Sequence, residues 1–239
     1  MQELDKVQIN FDYNSLWVLN LALAVVMFGV ALGITFDDFK QLLKQPKLVL
    51  IGVLLQFVLL PLVTFLLVIL IKPQPSIALG MFMVAACPGG NISNFMTHLA
   101  KGNTALSVSL TAFATFLAMF MMPFNFSFYS ELYQPTAQII KTVELDSFGL
   151  VKLVLLILGV PLLFGMLLRH KNAALALKLS KLLKPLSIVV FVVIIVIAFS
   201  NNIDVFNNYI HYVFAIGVTH NLIALTLGFL VAKMFRLSF

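Results

Sequence analysis

Two short polar runs interrupt a hydrophobic chain and carry the side chains best suited to chemistry. Ser93, Asn94 and Thr97 follow a Pro88-Gly89-Gly90 break. Ser107, Thr111 and Thr115 follow a Lys101-Gly102-Asn103 turn and recur at i, i+4, so they share one helix face. Hydroxyl, amide and unwound-backbone oxygens are ligands for hard cations. Sodium fits such neutral oxygens, whereas zinc or copper would want imidazole or thiolate. A half-helix starting near Asn91 also turns a positive N-terminal end towards the break, a seat for an anionic group. Taken singly, each hydroxyl has a plainer use, bonding its own i−4 carbonyl or a neighbouring helix. The whole set beside a Pro-Gly-Gly break favours a site. Gln56, inside an apolar run, needs a partner on another helix or in that site, and its position leaves both open.

Other chemistries lack residues. No Asp or Glu falls in the core of a predicted span, which removes a carboxylate proton relay or a paired-carboxylate hydrolase. His98, His170 and His211 sit at helix ends. Only His220 is well inside a span, where a lone histidine usually bonds a neighbouring helix. The single cysteine, Cys87, excludes an intrachain disulfide and a multi-cysteine metal site. There is no Gly-x-Ser-x-Gly elbow and no His-Glu-x-x-His pair, so the chain reads as a non-enzyme with no catalytic residues and no organic cofactor.

The elements that must position these residues are membrane helices. Of the 239 residues, 62% are hydrophobic and 10% charged, far above the apolar share of about 45–50% in soluble domains. Seven runs near spanning length occur, at about 16–35, 47–71, 76–99, 103–123, 149–168, 182–200 and 209–232. The first is too long for a signal-peptide core and is followed by no small-residue cleavage pattern. With the N-terminus outside, the inner connections hold Lys40, Lys44, Lys47, Lys101, Arg169, Lys171, Lys178, Lys181, Lys184, Lys233 and Arg236, eleven of the fifteen basic residues. The positive-inside rule therefore sets N-out and C-in in the cell membrane, and the net charge of +6 is topological, so nucleic acid is not a partner.

Four local features complete the reading. Phe124–Phe148 reads as a long outer connection containing the sequon Asn125-Phe126-Ser127. Residues 173–184 suit a helix lying in the anionic-lipid interface before the next span. Gly29 and Gly33 form a GxxxG pair that allows close helix approach. Pro61 and Pro161 predict bends in which neighbouring helices satisfy the freed carbonyls.

The run Ala86-Cys87-Pro88-Gly89-Gly90-Asn91-Ile92-Ser93-Asn94, followed by Lys101-Gly102-Asn103-Thr104-Ala105-Leu106-Ser107-Val108-Ser109-Leu110-Thr111, resembles the bile acid:sodium symporter family. The likeness extends through Met27-Phe28-Gly29, the Asp38 to Lys47 loop, Gly52 with Gln56-Phe57 and Pro61, and later His220-Asn221, and is strongest in the first half. It implies two inverted five-helix repeats, each with a broken helix, whose breaks cross to hold substrate and two sodium ions. By that likeness Ser93, Asn94, Ser107 and Thr111 match the first sodium site and Gln56 a ligand of the second. Asn91 and Ile92 fall where the substrate's anionic group is met, Asn91 replacing a threonine common in the family.

The resemblance also implies a truncation. The spans match the family's second to eighth helices, so the first, ninth and tenth are expected to be absent, and with the ninth the second crossing and its acidic ligand. The expected architecture is thus an all-α integral membrane protein, a single transmembrane domain over 1–239. Residues of about 15–123 form most of one repeat and about 149–239 an incomplete second. The expected function is symport of sodium with a small or amphipathic organic anion by alternating access. The alternative is a transport-incompetent fragment or accessory membrane subunit.

Overall fold

Prolines and asparagines mark where the helices begin. Pro46 and Pro75 occupy first-turn positions, where a missing N–H costs nothing. Asn103 and Asn172 cap by accepting the N–H of Leu106 and Leu175, each at 3.0 Å. The computed structural model describes residues 13–35, 37, 40, 44–142, 149, 152 and 155–236. These form α1 (Tyr13–Ala31), α2 (Pro46–Leu54), a π-helical turn (Leu55–Leu59), α3 (Leu60–Ile71), α4 (Pro75–Ala86) and α5 (Asn91–Leu99). After them come α6 (Thr104–Leu132), α7 (Gln134–Thr142), a second π-helical turn (Leu155–Gly159), α8 (Val160–Lys171), α9 (Ala173–Ser200) and α10 (Ile203–Met234). Among the described residues there is no strand, and the protein is an all-helical integral membrane protein.

Among the described residues, three stretches are long and apolar enough to cross a bilayer, Pro46–Ile71, Thr104–Leu132 and Val213–Met234, and Asn20–Ala31 and Pro75–Ala86 are shorter apolar helices. Outward leucines such as Leu70 and Leu225, 80% and 71% exposed, suit lipid rather than water. The expected run 76–99 is split at Cys87–Gly90 into α4 and α5, as the Pro-Gly-Gly break predicts.

The chain divides into two compact units, one drawing on residues 38–151 and 211–239, the other on 6–37 and 152–210. In the first, Val68, Ala78, Met81, Phe82, Phe126 and Tyr129 form a buried core. This core corrects one expectation. Residues 124–132 are not connection but helix, because burying Asn125, Phe126, Tyr129 and Ser130 on one face extends α6 past Pro123. Tyr129 meets Phe65 and Phe82 at ring-centroid distances of 5.4 and 6.3 Å. Asn125 of the sequon is buried, and its amide is spent inside the protein.

In the second unit α1 packs on α8 and α9. Gly29 is buried, but Gly33 is exposed in the turn beyond α1. The closest approach is made by Gly165 of α8, where a Cβ would collide with Ala31 Cβ and stand 3.1 Å from the Phe28 carbonyl oxygen. Residues 173–184 are not a separate interfacial helix. They run unbroken into α9 with Pro185 inside it, as a stretch of alanine, leucine and lysine with one serine and no glycine permits.

At both prolines where a bend is expected, Pro61 and Pro161, a π-helical turn ends two residues earlier. Leu60 N–H reaches back five residues to the Leu55 carbonyl, and Pro61 has no N–H to give.

Candidate functional site

The site lies within the first unit, where the break between α4 and α5 faces α2 and α6. Cys87 leaves α4 in an extended conformation, φ −70° and ψ 146°, and α5 restarts when Ser93 N–H and Ser93 Oγ bond the Gly90 carbonyl at 3.0 and 2.6 Å. Lys101 then takes a left-handed φ of 55°. Gly102 serves close approach instead of positive φ. Its N–H bonds the Thr97 carbonyl at 2.9 Å, and a Cβ there would lie 3.1 Å from Thr97 Cγ2. The tight turn lays α5 against the start of α6.

Asn94 is the centre of the result. Its Oδ1 accepts from Ser107 Oγ at 2.6 Å and from Thr111 Oγ1 at 3.0 Å. Thr97 Oγ1 lies 2.8 Å from the Ser93 carbonyl and 3.3 Å from Ser107 Oγ. The i, i+4 spacing thus brings Ser107 and Thr111 to one acceptor. Thr115 departs from that set, since its hydroxyl bonds the Thr111 carbonyl at 2.7 Å within α6.

Gln56 reaches the break itself, donating Nε2 to the Cys87 carbonyl at 2.7 Å. Gln56, Ser93, Thr97, Ser107 and Thr111 all border one cleft of about 440 Å³, and none of its described lining residues is charged. The hydroxyls spend their single protons on carbonyl or amide oxygens, which leaves lone pairs for a cation. The side chains of Asn91 and Ile92 lie outside the described part of the structure. Their backbone opens α5, at the end of a helix where leading N–H groups have no preceding turn to bond.

Two partnerships were not assigned from sequence. Asn125 Nδ2 donates to the Phe57 carbonyl at 2.9 Å, the carbonyl four residues before Pro61. A buried amide together with a membrane proline signals such a pair, but placing Asn125 in a loop hid it. Thr64 Oγ1 and His220 Nε2 are 2.8 Å apart, both buried, which gives His220 the interhelical bond expected of it.

Comparison with known proteins adds an independent finding. The model of the Sodium Bile acid symporter family matches residues 20–209. The sodium-dependent transporter YocS of Bacillus subtilis (strain 168) is 32% identical over 97% of this chain and 71% of its own length. The probable sodium/metabolite cotransporter BASS1, chloroplastic, of Arabidopsis thaliana is 32% identical over 72% of this chain. The ileal sodium/bile acid cotransporter of Homo sapiens is 31% identical over 74%. The chain spans 40% of the Arabidopsis protein and 50% of the human one.

Proposed function

The chain belongs to the sodium bile acid symporter family, and from that premise we propose that it carries a small or amphipathic organic anion together with sodium by alternating access. The observation that carries this reading is the convergence of Ser107 and Thr111 on Asn94 Oδ1, beside the break and in one cleft with Ser93 and Gln56.

Sodium at Ser93, Asn94, Ser107 and Thr111 replaces hydrogen bonds within that cluster with ion–oxygen contacts, and Gln56 serves a second ion. Occupation stiffens the junction of α5 and α6 and so favours anion binding at the first turn of α5, near Asn91 and Ile92. Such coupling is reciprocal, so the anion raises sodium affinity by the same factor. Alternating access needs two bodies that move as units, and the division of the chain into two compact units supports it. The N-terminus is placed outside and the C-terminus inside, on the distribution of lysine and arginine.

The experiment is uptake of radiolabelled bile acid, pantoate-like acid and keto acid into vesicles carrying this chain, with and without an inward sodium gradient. Sodium-driven uptake that Ser107→Ala and Thr111→Ala abolish, with insertion retained, is the expected outcome. Uptake unaffected by both substitutions overturns the sodium-site assignment, and absence of uptake for every anion class overturns the transport reading.

A further inference from the structure

Gln56 faces the break because the helix carrying it is out of register. The stripe Pro61, Thr64 and Val68 is buried in α3. At α-helical spacing it continues backwards through Phe57, Leu54 and Leu50. Phe57 is buried, but Leu54 and Leu50 are 44% and 61% exposed, while Gly52, Val53 and Gln56 border the cleft. The extra residue in the π-helical turn Leu55–Leu59 accounts for the shift, since one residue is about 100° of helical rotation.

That turn has to be held. Pro61 cannot bond the carbonyl of Phe57, and a carbonyl left bare in an apolar interior would favour any rearrangement that covered it. Asn125, buried and farther along α6 than Thr111, covers it instead at 2.9 Å. The same helix therefore supplies two ligands near its start and, farther along, the amide that fixes the backbone next to Gln56.

We propose that Asn125 is a positioning residue for the sodium site, acting through the Phe57 carbonyl to hold the π-helical turn that aims Gln56 at Cys87. This rests on the sodium-symport reading above. Asn125 borders neither the break nor the cleft, so its effect on sodium is transmitted through backbone.

The chain's single cysteine gives the readout, because Cys87 is half-buried and its carbonyl is the acceptor of Gln56. The measurement is the rate of maleimide labelling of Cys87 in membranes as sodium replaces choline at constant ionic strength. In the parent chain sodium slows labelling with a defined half-effect concentration, and Ser107→Ala removes the response. Asn125→Leu raises that concentration about fivefold or more, as loss of one buried hydrogen bond implies, and adds nothing further in Gln56→Leu. Pro61→Ala, which returns an N–H for Phe57, restores the detergent stability of Asn125→Leu without restoring its sodium response.

An unchanged half-effect concentration in Asn125→Leu, with the parent and Ser107→Ala behaving as stated, overturns this inference alone. Recovery of both stability and sodium response by Pro61→Ala also overturns it, since Asn125 would then be structural only. No sodium effect in the parent, or a full one in Ser107→Ala, sinks the sodium reading and this inference with it. Asn125→Ser, too short to span the gap, is held to the same criterion if Asn125→Leu does not insert.

Discussion

Gln56 donates to the carbonyl of Cys87 at 2.7 Å, so a side chain of the π-helical turn holds the last residue before the Pro88-Gly89-Gly90 break. Two irregular backbones are thereby joined, each of which would be costly in hydrocarbon alone. Gln56→Leu fills similar volume but leaves the Cys87 carbonyl without this donor. It is expected to lower stability in detergent by about 1–3 kcal/mol and to weaken sodium-dependent uptake. Thermal unfolding with and without sodium checks both, and a Gln56→Leu protein with the parent's sodium-induced shift would remove Gln56 from the site.

Ser107 and Thr111 share one acceptor, which makes their contributions interdependent. Either hydroxyl can bond Asn94 Oδ1 alone. Ser107→Ala and Thr111→Val are each expected to cost about 0.5–1.5 kcal/mol of sodium-free stability, and the pair more than their sum, because only the double variant strips the amide oxygen. A double-mutant cycle on melting measures this. Simple additivity would mean that Asn94 finds another donor.

Much of this arrangement was legible in the sequence, and the reason is local. The break, the Lys101-Gly102-Asn103 turn and the i, i+4 hydroxyls all act over a few residues, so spacing alone puts Ser107 and Thr111 on one face. What escaped depends on partners far along the chain. Asn125 and Phe57 are 68 positions apart, and α6 continues beyond Pro123 only because Phe126 and Tyr129 find a core made by other helices. Gly165 likewise carries no signal of its own in α8. Its meaning is the backbone of α1 pressed against it.

The direction of the Thr64–His220 bond follows from where the Thr64 proton goes. Thr64 has one hydroxyl proton, and its Oγ1 lies 2.8 Å from the Leu60 carbonyl, which can only accept. With that proton on the carbonyl, Thr64 accepts from His220 Nε2–H at 2.8 Å. Thr64→Val is expected to cost about 1–3 kcal/mol by leaving that buried N–H unmatched, whereas Thr64→Ser retains the acceptor and most of the stability. Chemical denaturation in detergent distinguishes the three proteins. A loss in the serine variant with none in the valine variant would assign the effect to packing of the methyl group.

Gly165 sets how near α8 can come to α1. A methyl group added there meets Ala31 Cβ and the Phe28 carbonyl. Neither can give way easily, because Ala31 has no longer side chain to rotate and the carbonyl belongs to helical backbone. Gly165→Ala should therefore part the two helices and destabilise the second unit by about 1–3 kcal/mol, even though alanine is the better helix former. Ala31 ends α1, so exchanging it for glycine costs less than a mid-helix substitution. Ala31→Gly in the Gly165→Ala background is expected to recover part of the loss by removing the colliding methyl. Resistance to proteolysis within residues 13–35 and 155–200, measured in detergent, reports on this unit. A Gly165→Ala protein as resistant as the parent would show that the helices can separate without cost.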